Sequence, residues 1–226
     1  MTVQEMRQAV AERAAALVEA KMVVGLGTGR TAALVVRAIG ERVRAGLAIV
    51  GVPTSDATAK LAREWGIPLS SLDDVARLDL CIDGADEFDP ALNLIKGLGG
   101  ALLREKLTAS AAARFVVIVD EEKRVAHLGE KAPLPVEVVP FGWTHTAARL
   151  SDLGVTPVRR ERASQPVLTD GGNLLLDCRL PRSFDPRKLA ERVKATVGVV
   201  EHGFFLDMAS TVLVGTVSGV EELHRA

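Results

Sequence analysis

The sequence lacks an excess of charge of either sign. Its 28 lysine and arginine residues nearly balance its 29 aspartate and glutamate residues, so the formal net charge is −1 at pH 7. Proteins that bind nucleic acid usually carry a strong basic excess, and we therefore expect no nucleic acid partner. Hydrophobic residues make up 48% of the 226 residues, which is enough for a full core and excludes a disordered acidic chain.

Cysteine is also scarce, and long apolar runs are absent. Cys81 and Cys178 lie far apart inside apolar segments, and neither has a cysteine partner at CxxC spacing. We expect two buried thiols in a reducing compartment, rather than a disulfide or a nucleophile. The first residues lack the pattern of a secretory signal, and runs such as 115–119 are far shorter than the ~20 residues of a membrane helix. These absences predict a cytoplasmic protein with no membrane partner.

Histidine is too sparse to indicate a metal site. None of the four histidines lies at ligand spacing from another, and no triad of acidic residues is apparent. The four are His127, His145, His202 and His224. We therefore expect no metal cofactor, with ligation by Asp83 and Asp86 as the alternative.

Apolar strands alternate with amphipathic helices over the first 130 residues. The predicted strands are 22–24, 48–52, 67–69, 78–82 and 115–119, and the predicted helices are 3–20, 30–44, 56–65 and 100–113. Because the strands lack polar alternation, they are typical of a parallel sheet with helices on both faces. The pattern predicts an α/β fold, with a Rossmann-like, mostly parallel sheet domain comprising 1–130 and 203–226.

The pattern changes after residue 130, where prolines interrupt the chain. Helices are predicted at 143–153 and 185–195, and strands at 155–159, 167–169 and 173–177. Residues 170–172, Asp-Gly-Gly, form a turn between the last two strands, which is typical of antiparallel pairing. We predict a smaller α+β domain at 131–202, with strands at 204–206 and 211–214 returning to the first domain.

A glycine-rich loop follows the first predicted strand. Residues 25–29, Gly-Leu-Gly-Thr-Gly, lie between a strand and a helix, where backbone amides can hold a phosphate. Thr28 and Thr31 add hydroxyl groups and Arg30 adds a positive charge. A dinucleotide-binding loop would have glycine or alanine in place of Arg30 and an acidic residue after the second strand, which ends Val-Pro-Thr at 52–54. NAD is therefore not expected, and a purely structural turn is the alternative.

Acidic residues and a lysine gather between residues 80 and 106. Asp83 and Asp86 follow a buried strand, in the crevice where open α/β sheets bind ligands, although acidic turns are also common. Glu105 lies with Arg104 and Lys106 near the start of a helix whose other residues are nearly all small and apolar. It has Ala109 rather than a lysine one turn later, so a surface ion-pair face fits poorly. A carboxylate beside a glycine loop is a candidate general base. Lys96 is a candidate electrophile, and a solvated loop lysine is the alternative.

Together these motifs resemble the A type of ribose-5-phosphate isomerase. The resemblance rests on 25–31 GLGTGRT, 83–87 DGADE, 96–102 KGLGGAL, 104–106 REK, 134–138 LPVEV, 169–173 TDGGN and 198–203 GVVEHG. It covers nearly the whole chain. The sequence differs from the family pattern at Arg30, where many members carry serine. This difference affects which residues of the 25–31 loop contact a phosphate.

The resemblance implies the interconversion of ribose 5-phosphate and ribulose 5-phosphate in the pentose phosphate pathway by a homodimer without a metal or other cofactor. It implies that Glu105 carries a proton between C1 and C2 of the sugar through an enediolate. Lys96 and the amides of 97–99 would donate to the developing oxyanion. Asp83 and Asp86 would hold sugar hydroxyl groups and assist ring opening and the transfer of a proton between the two oxygens. The implied substrate contacts are Thr28, Gly29, Arg30, Thr31, Asp83, Gly84, Ala85, Asp86, Lys96, Gly97, Leu98, Gly99 and Lys123.

Two other functions fit parts of the pattern. One is another enzyme on a related scaffold, such as a sugar-phosphate deaminase or a coenzyme A transferase. The other is a non-catalytic sugar-phosphate sensor, which should lack the base and usually carries a DNA-binding domain. The presence of Glu105 favours an enzyme, and we further predict that Thr28, Asp83 and Glu105 line one crevice.

Overall fold

The computed structural model describes residues 1–225 and contains six α-helices and fifteen strands in that range. The helices are α1 Val3–Ala15, α2 Arg30–Arg44, α3 Asp56–Glu64, α4 Leu102–Ser110, α5 Trp143–Ser151 and α6 Pro186–Lys194. The strands are β1 Val23–Leu26, β2 Val50–Pro53, β3 Leu80–Gly84, β4 Glu87–Phe88, β5 Leu94–Ile95, β6 Phe115–Asp120, β7 Leu134–Val138, β8 Thr156–Arg159, β9 Glu161–Arg162, β10 Gln165–Pro166, β11 Leu174–Arg179, β12 Val199–His202, β13 Phe204–Phe205, β14 Thr211–Thr216 and β15 Gly219–His224.

Contacts between residues divide the chain into two units. The first unit contains Met1–Ala85, Arg104–Arg124 and the residues from Asp207 onward, and the second contains Asp86–Leu103 and Val125–Leu206. This grouping places 86–103, 125–130 and 203–206 with the second unit. The domain boundaries at 131 and 202 stay a prediction from the sequence.

The first unit is built on a six-stranded sheet in the order β15-β14-β6-β3-β1-β2. Every neighbouring pair is parallel except β14 and β15. All six residues of β6 are buried, as expected for a strand covered on both faces. Val10 and Ala14 of α1, Val36 of α2 and Ile118 of β6 belong to one apolar core. The predicted α/β fold with a mostly parallel sheet is confirmed.

The second unit combines antiparallel strands with two helices. Its four-stranded sheet has the order β12-β7-β11-β8, and a separate three-stranded sheet has the order β13-β5-β4. Leu134 and Val136 of β7, Leu150 of α5, Leu176 of β11 and Val193 of α6 share a second apolar core. The predicted smaller α+β part of the fold is thus confirmed.

Within residues 1–225, no helix is both long enough and apolar enough to cross a membrane.

Candidate active site

The glycine-rich loop after β1 is packed directly against Asp83. β1 and β3 are parallel neighbours, so their carboxyl ends lie at the same edge of the sheet. The N–H groups of Thr28 and Gly84 both donate to Oδ1 of Asp83, at 3.0 and 2.7 Å. A Cβ at Gly27 would lie 2.2 Å from that oxygen, so only glycine fits there. The loop therefore holds a fully buried carboxylate at the sheet edge.

The hydroxyl group of Thr28 lies in a cluster of hydroxyls from the segment after β2. Its Oγ1 is 2.7 Å from Oγ1 of Thr54, 2.8 Å from Oγ of Ser55 and 3.2 Å from Oγ1 of Thr58. Thr58 also donates to the carbonyl oxygen of Gly27 at 2.9 Å. Both the N–H and the hydroxyl of Thr28 thus have protein partners, and a direct contact between Thr28 and a substrate stays a prediction.

The loop ends where α2 begins, and the first turn of this helix is open. Gly29 has φ 111°, a conformation that favours glycine, and no side chain caps the helix. Gly29 and Arg30 are exposed and Thr31 is partly exposed. The first N–H groups of a helix have no acceptor inside it and carry a partial positive charge. This end of α2, together with Arg30, can therefore receive an anion.

Glu105 lies on the face of α4 that contacts β1. A Cβ at Gly25 would lie 2.7 Å from Cγ2 of Thr108, so the helix approaches the strand closely at this glycine. Glu105 and Thr108 are three residues apart and share a helix face. Only 4% of Glu105 is exposed, and glutamate side chains are rarely buried to this degree unless they are paired. Asp83 and Thr28 are hydrogen-bonded to each other. The face of α4 that carries Glu105 contacts β1 at Gly25, three residues before Thr28.

Lys123 lies just beyond β6, the parallel neighbour of β3. It is partly exposed in the short 3₁₀ turn Glu121–Lys123. Before it, Asp120 is buried, and its Oδ2 accepts from Nε and Nη2 of Arg7, at 2.8 and 2.7 Å. Gly84 and Ala85, at the end of β3 and just after it, are both partly exposed.

In the second unit, Lys96 and the glycines that follow it form a tightly held loop. Lys96 is 2% exposed, its N–H donates to the carbonyl of Gly203 at 2.9 Å, and its Nζ lies 5.3 Å from the ring centroid of Phe205. Asp86 accepts the N–H of Leu98 at 2.9 Å through Oδ2. The Leu98 amide was expected to donate to the substrate, yet its N–H already has a protein acceptor. Lysine side chains are rarely buried to this degree unless they are paired.

The chain is similar in sequence to a family of known enzymes. Residues 50–219 match the sequence profile of ribose 5-phosphate isomerase A (phosphoriboisomerase A). The ribose-5-phosphate isomerase A of Synechococcus sp. is 52% identical over 225 residues, which covers 98% of this chain and 98% of that protein.

This chain belongs to the ribose 5-phosphate isomerase A family.

Solved structures from the family have the same fold over the full length. The enzyme from Methanocaldococcus jannaschii superimposes with a TM-score of 0.94 at 42% identity, covering 99% of this chain and 100% of that one. A D-ribose-5-phosphate isomerase in complex with phospho-erythronic acid has a TM-score of 0.96 at 43% identity, with both chains covered completely. The resemblance inferred from the motifs is therefore confirmed, and the family is one of aldose–ketose isomerases.

Glu87, the last residue of the 83–87 motif, has a structural role. Glu87 is fully buried, and its carboxylate accepts the N–H groups of Gly129, Lys131 and Ala132 at 2.5, 2.5 and 2.6 Å. Three such bonds satisfy a buried carboxylate and tie the segment before β7 to β4. The sequence alone does not distinguish this structural glutamate from the candidate site residues Asp83 and Asp86, because all three occur within five residues.

Arg7 is a further candidate site residue, which was not predicted from the sequence. It lies on α1, 113 residues from its partner Asp120, and an arginine on an amphipathic helix usually faces solvent. Here it forms an ion pair with a side chain at the end of β6, and its own side chain is only 13% exposed. Nothing in the local sequence signals this long-range contact.

Within residues 1–225, no group of three or more histidine, cysteine, aspartate or glutamate side chains is arranged to hold a metal ion. Cys81 and Cys178 are both buried, and they do not form a disulfide with each other. Burial, with a further contribution from Asp177, raises the pKa of the Cys178 thiol to about 12. A thiolate nucleophile at Cys178 is therefore disfavoured at neutral pH.

Proposed function

We propose that this protein interconverts D-ribose 5-phosphate and D-ribulose 5-phosphate through an enediolate, as a step of the non-oxidative pentose phosphate pathway. The observation that carries the proposal is the 52% identity with a ribose-5-phosphate isomerase A over 98% of both chains. The buried Glu105 and the buried Lys96 supply the two kinds of group that an aldose–ketose isomerase requires, a base and an electrophile.

Glu105 acts as the base. It removes the proton from C2 of the open-chain aldose, a double bond forms between C1 and C2, and negative charge develops on O1. The same carboxyl group then returns the proton to C1, while a proton moves from O2 to O1 to leave the ketone at C2. One base that reaches both carbons is sufficient, so the reaction consumes no other reactant.

Lys96 and the backbone N–H groups of Gly97 and Gly99 stabilise the developing oxyanion, while the N–H of Leu98 donates to Asp86. Donors that are already oriented before the reaction lower the barrier because they need no reorganisation as charge develops. Asp83 holds sugar hydroxyl groups and assists ring opening and the transfer of the proton between the two oxygens. Asp86 contributes further hydroxyl contacts in this proposal.

The phosphate group is bound by residues at the start of α2. Gly29, Arg30 and Thr31 surround the open N-terminus of a 15-residue helix, and such a terminus attracts anions. Lys123 adds a positive charge in the turn after β6. Gly84 and Ala85 are proposed to line the sugar between these groups.

The protein is expected to catalyse the reaction without a metal ion, because Lys96 can serve as the electrophile that a metal supplies in other enzymes. Ketose formation from ribose 5-phosphate should continue unchanged after exhaustive treatment with EDTA. Loss of activity that is restored by a divalent cation would contradict metal independence and would identify Asp83 and Asp86 as metal ligands. Complete inactivity under both conditions would contradict the proposed function itself.

We also propose a cytoplasmic homodimer. Phe141 and Val197, which are 94% and 74% exposed, are apolar side chains that a subunit interface could cover. Sedimentation at micromolar concentration should give twice the mass of one chain, and a stable monomer would contradict the dimer.

Phospho-erythronic acid is proposed as an inhibitor that competes with the substrate. A related isomerase forms a complex with it. Its carboxylate is planar and shares a negative charge between two oxygens, and the enediolate is likewise planar and carries negative charge on oxygen, so groups that stabilise the enediolate should also bind this acid.

A further inference from the structure

Arg160 is held in place by the antiparallel pair β8 and β11. It directly follows β8, and its N–H donates to the carbonyl of Leu175 in β11 at 2.8 Å. Its Nε and Nη2 donate to the two carboxylate oxygens of Asp177 at 2.9 and 2.5 Å. This paired geometry fixes the plane of the guanidinium group.

The other side of the same guanidinium contacts the loop that follows Lys96. Nη1 donates to the carbonyl oxygens of Gly97 and Leu98, both at 3.0 Å. Four of the five N–H donors of Arg160 are thus engaged by protein acceptors. A guanidinium group occupied in this way is suited to holding the loop rather than to binding the substrate.

These contacts determine which way the peptide groups of the loop face. The C=O and N–H of a planar trans peptide point in opposite directions. The Gly97–Leu98 peptide is held at both ends, by Arg160 at its oxygen and by Asp86 at its N–H. Because the Leu98 oxygen also faces Arg160, the N–H of Gly99 faces away from it.

We propose that Arg160, oriented by Asp177, is a positioning residue for the isomerase reaction. It orients the peptide groups of 97–99 and, through them, the backbone that carries Lys96. This inference rests on the proposed function, in which Lys96 and this loop stabilise the enediolate. The loop contains Gly97 and Gly100 with φ of 112° and 88°, a backbone that needs outside contacts to stay in one conformation.

The test compares Arg160→Met with Arg159→Met. Arg159 is adjacent in sequence, but it lies over the Trp143 ring at 4.7 Å and pairs with Glu161. We expect Arg160→Met to lower kcat by about 10²-fold with little change in KM, since small misplacements of catalytic groups cost about that much. Arg159→Met should keep the parental kcat. Thermal unfolding of both variants checks that the fold is retained.

Inhibition separates positioning from a purely structural role. If Arg160 orients the groups that recognise the enediolate, the inhibition constant of phospho-erythronic acid should rise in Arg160→Met by nearly the factor by which kcat/KM falls. A lowered unfolding temperature with unchanged kcat and unchanged inhibition would overturn the proposal. An inactive parent enzyme would instead contradict the proposed function.

Asp177→Asn provides a second variant that decides the question if Arg160→Met does not fold. The amide keeps one acceptor for Arg160 but removes the charge, so the expected fall in kcat is smaller, about tenfold. The inhibition constant should rise in parallel with this fall. A folded Asp177→Asn protein with parental kcat and parental inhibition would overturn the positioning role.

Discussion

Replacement of Glu105 by glutamine is expected to lower kcat by about 10²–10⁴-fold, the usual range for loss of a general base. Glutamine keeps the size of the side chain and its place on α4 but cannot accept the C2 proton. KM should change little because the carboxylate acts mainly in the transition state. The measurements are ketose formation from ribose 5-phosphate and exchange of its C2 proton with solvent deuterium, and both rates should fall together.

Glu64→Gln is the matched control for this substitution. Glu64 ends α3 and is exposed, so the same chemical change there should leave kcat unaltered. If Glu105→Gln folds normally and retains more than about a tenth of the parental kcat, the assignment of the base is wrong, given the range above. Asp83 would then become the leading candidate, since it is a buried carboxylate at the sheet edge.

Replacement of Lys96 by methionine is expected to lower kcat by about 10²–10³-fold, as the loss of one oxyanion donor does in other enzymes. Methionine retains an apolar chain of similar length beside Phe205 and removes only the ammonium group. The effect should again lie in kcat rather than in KM, because the negative charge on the substrate oxygen develops during the reaction. Steady-state kinetics in both directions of the isomerisation provide the measurement.

Lys188→Met serves as the control for Lys96. Lys188 is exposed on α6 in the same unit, so the loss of its charge should leave turnover unchanged. A Lys96→Met enzyme with parental turnover would show that the loop acts through its backbone N–H groups alone. Turnover that is restored to Lys96→Met by divalent cations would indicate that a metal can replace the ammonium group.

The sequence predicts the first unit well because its signals are local. Residues 115–119 of β6 are all apolar, and the glycines at 25–29 separate a strand from a helix, so these elements follow from composition and spacing. The motif containing Asp83 was recognisable for the same reason. The contact between Asp83 and Thr28 could not be predicted, because a hydrogen bond between residues 55 positions apart produces no local pattern in the sequence.

The β9–β10 hairpin shows where sequence reasoning fails. Its two-residue turn is formed by Ala163 and Ser164, with φ of 50° and 62°. Such turns usually contain glycine, asparagine or aspartate, which tolerate positive φ, so the sequence shows no turn signal here. The paired strands β9 and β10, each two residues long and exposed, likewise lack the apolar alternation that predicts a strand.

The glycine-rich loop has consequences for redesign of the substrate range. Gly25 and Gly27 are closed to any side chain, the first by Thr108, Cys81 and Leu78 and the second by Asp83. A larger residue at either position would therefore displace α4 or the buried carboxylate. Arg30, by contrast, is exposed in the first turn of α2, where side chains of different size and charge can be accommodated. Libraries that aim at sugar phosphates of other lengths or charges should vary position 30 and leave the two closed glycines unchanged.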